Sequence, residues 1–412
     1  MKKTEFFEAA VRMGYYGLEK GGLFGKKDNV RKYWEDISVK LCVTPFIEQL
    51  LKEKKQLRIV DLGAGSGEGF ELLTHIPIGL EHHSDKKFFL MDPENIEEYL
   101  GIDISPAMIE QGRCNYEDRP NVSFEHGDLS EGFPVKDEKP FDLYFSSYAS
   151  LSHLSHDELF NLTCELLKHA REGSIIVYDL FGRFSPEWPV YWSADCHVML
   201  PYNMAYLQKP QERKRQKAEP FPVTFWASHE LEALFRKASE TTGRAVAIDE
   251  MRDRSIFVGR HIDTGLFNNK PQELRWAVNC LFDRDYRGQL PHLSPDLSYL
   301  EGLRDSQGQE WRRIRAYFDD WMAVISIYEA LLHSDDGFVR KLIESSRPDL
   351  SEELKMLAWL YKNASRFPVV DFWASVIGPQ IACVLRGLEF MLPRGLGCGH
   401  GLFCIARVKG SS

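Results

Sequence analysis

The chain has 412 residues, too many for one minimal nucleotide-binding domain, and its 43% hydrophobic content places it among ordinary globular proteins. A formal net charge of -10 supplies no overall basic field to hold a polyanion, which argues against a nucleic-acid substrate. Eight scattered cysteines, no signal-peptide pattern after Met1 and no long apolar run predict a reduced, cytoplasmic protein that is not embedded in a membrane.

Residues 1–40 bring the aromatic pairs Phe6-Phe7 and Tyr15-Tyr16, a glycine-rich elbow from Gly21 to Gly25, and a helix entered from Asn29 to Glu35. Arg58-Ile-Val-Asp-Leu62 then reads as a buried strand running into Gly63-Ala64-Gly65-Ser66-Gly67. Alternating glycines let backbone approach a ligand where any Cβ would collide. A dinucleotide loop, G-x-G-x-x-G/A, is not matched, because its last position falls on Glu68 or Phe70. A P-loop needs a lysine after the glycines, and none follows. Asp61 would repel a pyrophosphate and suits a cationic ligand.

Four further stretches follow in order, Tyr99 to Asp103, Val122 to Leu129, Phe141 to Ser147 and Gly173 to Phe181, which look like the second to fifth strands of a known family. The step from Asp61 to Asp103 exceeds what a strand, helix and strand require, so an insertion is expected between His75 and Glu98. Asp92 is the rival tip of the second strand. Asp103 is preferred because Ser105 is placed to cap a helix from Pro106 to Arg113.

The run from Asp61 to Gly67 and the ordered strands after it resemble class I S-adenosylmethionine-dependent methyltransferases, whose first motif is D/E-x-G-x-G-x-G. The resemblance implies an α/β, Rossmann-like sheet of seven strands whose last pair is an antiparallel hairpin, with S-adenosyl-L-methionine as cofactor. It implies a seat made by Asp61, Gly63, Ala64, Gly65 and Gly67, with Ser146 beside it. Asp103, with Ile104, would take both ribose hydroxyls, since one carboxylate accepts two neighbouring donors. Asp128 and Leu129 would hold the adenine. By the same analogy the N-terminal segment closes over the methionine end, with Tyr16, Lys27, Arg31 and Trp34 as lid candidates.

Beyond the fifth strand, Gly182 to Trp192 is an aromatic, proline-broken loop leaving the C-terminal edge of the sheet, where ligands bind in open α/β sheets. Trp188, Tyr191, Trp192 and His197 are read as walls of an acceptor pocket suited to an aromatic, apolar or cationic small molecule. Lys209 to Lys217 reads as a solvated loop. Arg244 to Asp249 and Ser255 to Gly259 are expected to pair as strands six and seven, ending a core of residues 41–263, with residues 395–408 as a competing closure. Residues 264–412 then form a mainly helical accessory region, since Trp311 to Leu332 and Leu350 to Asn363 carry helical apolar spacing. Phe367 to Ser375 repeats Phe221 to Ser228 with one insertion, which suggests a partial duplication. Cys398, His400 and Cys404 are too few for a metal site, Gly401 to Val408 reads as a buried strand with cysteine as a small apolar filler, and no metal is expected.

Methyl transfer needs a cofactor seat, an acceptor pocket and somewhere to send the acceptor's proton. His153 is the leading base, with Tyr148, His156, Asp179 and His197 as others near the ends of strands four and five. The expected reaction is methylation of a small molecule at oxygen, nitrogen or carbon. The alternatives are a methyltransferase acting on protein or RNA, and a non-catalytic cofactor-binding protein whose C-terminal half meets a partner.

Overall fold

The computed structural model describes residues 6–12, 14, 16–17, 28–80, 87–193, 197–202, 219–283, 290–304 and 308–410. The described strands are β1 (Leu57–Leu62), β2 (Pro77–Leu80), β3 (Lys87–Phe89), β4 (Ile96–Asp103), β5 (Val122–His126), β6 (Leu143–Phe145), β7 (Ile175–Phe181), β8 (His197–Tyr202), β9 (Glu219–Thr224), β10 (Val246–Arg254) and β11 (Gly401–Val408). The helices are α1 (Phe6–Arg12), α2 (Asp36–Glu53), α3 (Glu68–Thr74), α4 (Pro106–Asn115), α5 (His156–His169), α6 (Ser228–Thr242), α7 (Leu274–Cys280), α8 (Gly308–Leu332), α9 (Asp336–Ser345), α10 (Pro348–Lys362) and α11 (Gly378–Phe390).

Seven strands form one sheet in the order β10-β11-β7-β6-β1-β4-β5. β1, β4, β5, β6 and β7 are mutually parallel, and β11 runs antiparallel to both its neighbours. β1 and β7 are buried along their whole length, which is why each reads as a near-continuous apolar run. Local signals set the helix starts: Ser105 Oγ accepts from Met108 N with Pro106 in the first helical position, and Ser155 with Glu158 makes a capping box at α5.

Two expectations about chain order are corrected. Residues 255–259 form no strand: Ser255 turns out of the sheet with φ 59°, and Ile256, Phe257 and Val258 are buried in a bend. Strand seven is instead β11, the competing closure, inserted between β10 and β7 with Met251 and Tyr178 opposite Cys404. The core therefore does not end near Asp263; a long, mainly helical insertion separates strands six and seven. The excess before β4 is the β2–β3 hairpin. Asp103 ends β4, whereas Asp92 begins a short 3-10 turn.

The insertion shares its core with the sheet's C-terminal edge. Trp34 packs on Trp321 of α8, its ring centroid 6.0 Å away, and its indole Nε1 donates to Glu389 of α11 at 3.0 Å. Fully buried, Trp34 is core and not lid. The two similar stretches differ locally: 219–224 is a strand leading to α6, while 367–371 is irregular and leads through a π-turn at Trp373–Ile377 into α11. Among the described residues no helix is long and apolar enough to cross a membrane, and no group of His, Cys, Asp or Glu is placed to hold a metal ion.

Candidate functional site

The glycine turn between β1 and α3 is shaped by what each glycine faces. Gly65, at φ +56°, has no atom of the described residues, its chain neighbours aside, within 4 Å of where a Cβ would stand, so the backbone there borders a volume that a side chain would enter. At Gly63 a Cβ would strike Ser150, whose Oγ donates to the Gly63 carbonyl at 2.9 Å and ties the loop after β6 to the turn. Gly67 serves packing, since a Cβ there would meet Tyr116 and Phe124. Ala64 is buried beside them.

Asp103 stands beside this turn. Its Oδ2 accepts from Gly65 N at 2.9 Å and its Oδ1 from Ser105 N at 2.8 Å, leaving each oxygen a further lone pair for a hydroxyl donor. Burial raises its pKa, opposed by these backbone donors. Ile104 follows it, and its carbonyl meets His126 Nε2 at 3.0 Å. Asp128 caps the next turn, accepting from Ser130 N and Oγ, with Leu129 buried beside it.

Asp61 lies lower than a strand tip. It is buried beneath α3, where a Cβ on Gly69 would press on Oδ2, and it accepts from the Tyr99 hydroxyl. Burial pushes its pKa up to about 7. Among the described residues, its Oδ1 and the Ser146 Oγ are buried polar atoms without a hydrogen-bond partner. The volume beside Gly65, spare acceptor capacity on Asp103 and these two orphaned oxygens together fit a sulfonium-bearing nucleoside with hydroxyl and ammonium donors.

The N-terminal segment reaches this turn. Ser66 Oγ and Asn115 Nδ2 both donate to the Tyr16 carbonyl at 3.0 Å. Arg31 pairs with Glu68 at 2.6 Å and lays its guanidinium over the Tyr148 ring, 4.3 Å from the centroid. Lys27 lies outside the described residues, as does the charged 209–217 run.

The remaining candidates separate. Tyr148 occupies the loop after β6 with φ 55°, and its hydroxyl donates to Asp36. Asp179 is fully buried, and its carboxylate accepts from Tyr148 N and, through both oxygens, from Arg254 Nη2. It holds neighbouring groups in place. His153 Nδ1 donates to the Pro222 carbonyl at 2.9 Å, while burial lowers its pKa. His156 starts α5 and packs on Trp226. Trp188 and Trp192 are core, not pocket walls: both are buried and their indoles donate to the carbonyls of Gly182 and Ser185. Tyr191 stacks on Phe225, and exposed His197 meets Thr224 Oγ1 at 2.7 Å.

Sequence reasoning missed a buried ionic cluster behind Tyr148. Glu35 is contacted by Arg275 at 2.9 Å, Arg260 at 3.3 Å and Arg254 at 3.4 Å, and these arginines lower its pKa well below the usual carboxylate range against the effect of burial. Arg275 also holds Asp28 at 2.6 Å. The one local signal was the acidic pair Glu35-Asp36 at the start of an otherwise aromatic and basic helix.

Residues 88–173 match the family model described as a methyltransferase domain, a span that includes β4, β5 and β6 and begins after the glycine turn. No curated protein matches the chain. Solved S-adenosylmethionine-dependent methyltransferases from Clostridium acetobutylicum and Mesorhizobium loti are similar at 12% and 16% identity. They cover 51% and 52% of this chain, 81% and 85% of their own, with TM-scores of 0.33 and 0.34. The PH0226 protein of Pyrococcus horikoshii is similar at 17% identity over 60% of this chain and 92% of its own, with a TM-score of 0.36.

Proposed function

We propose that this chain, which carries a class I S-adenosylmethionine-dependent methyltransferase domain, methylates a small-molecule acceptor at the C-terminal edge of β6 and β7. The supporting observation is that this edge is roofed. The β8–β9 hairpin docks on the loop after β6 through His153 to Pro222 and through Thr224 Oγ1, which donates to the Leu154 carbonyl. Its Tyr202 and Phe221 rings lie 5.7 Å apart, and Tyr202 meets His261 at 5.0 Å. A roofed aromatic edge suits a compact acceptor better than an extended polymer, as does the acidic net charge.

The bound cofactor supplies an electrophilic methyl on a sulfonium. Asp103 would hold the ribose hydroxyls, Asp128 and Leu129 the adenine, and the Gly63–Gly65 backbone the methionine portion, with Tyr16 and Arg31 closing that end. Tyr148, Tyr202, Phe221 and His261 would line the acceptor side and exclude water. Free thiols at the seven described cysteines suit a cytoplasmic, reducing setting.

The test is incubation of the purified chain with methyl-labelled cofactor and a whole-cell extract. Label in the low-mass fraction supports the proposal. Label in protein or RNA, or in no fraction, rejects it.

A further inference from the structure

We propose that Asp36 takes up the proton that the acceptor releases, receiving it through the Tyr148 hydroxyl. The assignment rests on the methyl-transfer reading above and adds the group that reading lacks.

Tyr148 is fixed where such a relay is needed. Its backbone N–H donates to Asp179 at the end of β7, and Ser150 ties the same loop to Gly63 of the cofactor turn. Its ring has the guanidinium of Arg31 at 4.3 Å and that of Arg260 at 5.6 Å. Tyr148 and Ala149 are successive non-glycine residues at φ 55° and 62°, a left-handed conformation that persists only where surroundings enforce it. The hydroxyl donates to Asp36 Oδ1, so the carboxylate is the phenol's acceptor within the protein.

Behind the pair is a small void of about 10 Å³, room for a single water, bordered by Arg31, Asp36, Lys40, Glu68, Glu71 and Tyr148, with Leu72 as its one apolar wall. Glu71 leads outward, pairing with half-buried His75 at 3.2 Å. A proton on Asp36 therefore has a polar route away from the reacting atoms.

The step balances. The acceptor's lone pair forms the bond to the methyl carbon as the carbon–sulfur bond breaks, and that bond's electron pair stays on sulfur. The acceptor's proton moves to Tyr148 Oη while the phenolic proton moves to Asp36, so the sulfonium charge and the carboxylate charge vanish together. Burial pushes Asp36 up to about 6, with Arg31, Tyr148 and Lys40 lowering it and Glu35 raising it; Lys32 also feels its charge, and Glu68 and Glu71 face it across the cavity from α3. A carboxylate near that value accepts protons efficiently at neutral pH.

The experiment follows label transfer from methyl-labelled cofactor into the low-mass extract fraction from pH 5 to 9, for the wild type, Asp36→Asn and Tyr148→Phe, with cofactor affinity measured in parallel by calorimetry. Each variant is expected to lose roughly 100-fold in rate at neutral pH while keeping cofactor affinity. The wild-type rate should climb as pH passes about 6, and both variants should lack that limb. Rates within threefold of wild type, or an unchanged limb in either variant, overturn the relay. Should Asp36→Asn fail to fold, Tyr148→Phe, which keeps the carboxylate, decides alone. No label transfer by the wild type overturns the functional reading itself, a result distinct from the loss of the relay.

Discussion

Arg254 and Asp179 form a buried pair across a strand that belongs to neither: Arg254 Nη2 lies 3.0 and 2.8 Å from the two carboxylate oxygens, and β11 runs between their strands. The crossing point is Gly401. A Cβ there would stand 2.7 Å from Asp179 Oδ1 and 2.8 Å from Arg254 Nη2, so the strand arriving from the far end of the chain has no side chain where the pair passes over it.

Gly401→Ala is accordingly expected to push the two charged groups apart. Removing one partner of a buried pair costs about 3–5 kcal/mol; pushing this pair apart costs less, because Arg254 keeps Glu35 and Asp179 keeps the Tyr148 N–H. Asp179 would then hold Tyr148 N less firmly, so turnover should fall together with stability. Urea denaturation showing a loss below about 1 kcal/mol would mean that the pair is not under steric control from Gly401.

The parts of this arrangement that are local were legible in the sequence. Asp103 was placed at the second strand's tip because a capped helix follows it at once, and Gly63 to Gly67 were recognised because a buried strand precedes them. The partner of β7 was legible only as the alternative, residues 395–408, and not as the preferred strand. Ser255-Ile-Phe-Val-Gly259 has strand-like composition yet leaves the sheet, and what excludes it is β11, whose pairing with β10 spans most of the C-terminal half. No local pattern encodes that competition. Trp188 and Trp192 misled for a related reason: aromatic residues in a proline-broken loop resemble pocket walls until their indole donors are seen to be satisfied within the loop. The pairing of Glu35 and Arg275, 240 positions apart, is likewise set by the fold alone.

His153 illustrates how a base candidate can be tested against an anchoring role. The Pro222 carbonyl only accepts, so Nδ1 carries the proton, and lowered basicity keeps the ring neutral at neutral pH. His153→Gln retains an N–H donor for that carbonyl. Turnover within about threefold of wild type is expected for this variant, whereas removal of a catalytic base would cost about 100-fold or more.

Glu389 links the insertion to the N-terminal segment and makes that link sensitive to pH. Its carboxyl accepts from Ile256 N and Trp34 Nε1, both at 3.0 Å, and burial pushes it from 4.5 up to about 7. The folded chain therefore binds this proton more tightly than the unfolded chain. The resulting stabilisation is full below pH 4.5 and is lost as pH rises through about 7. Glu389→Gln, which cannot ionise, should show a smaller fall in stability between pH 5 and 8 than wild type. Asp36 and Asp61, also raised by burial, keep part of the slope. Denaturation midpoints at the two pH values check this, and an equal fall in both proteins would refute it.

Asp103 makes the sharpest claim on the cofactor. Its two oxygens already accept one backbone N–H each, so a ribose would bind by filling the remaining lone pairs, and the Gly65 tether holds the carboxylate against the turn. Asp103→Ala removes the tether and both acceptors. Hydrogen bonds to a charged group are worth about 1.5–3 kcal/mol each, so losing two should weaken binding by roughly 100-fold or more. Asp103→Asn keeps one acceptor oxygen and should fall between the variant and wild type. Calorimetric titration with S-adenosylmethionine orders the three proteins, and an Asp103→Ala affinity equal to wild type would remove this carboxylate from the binding site.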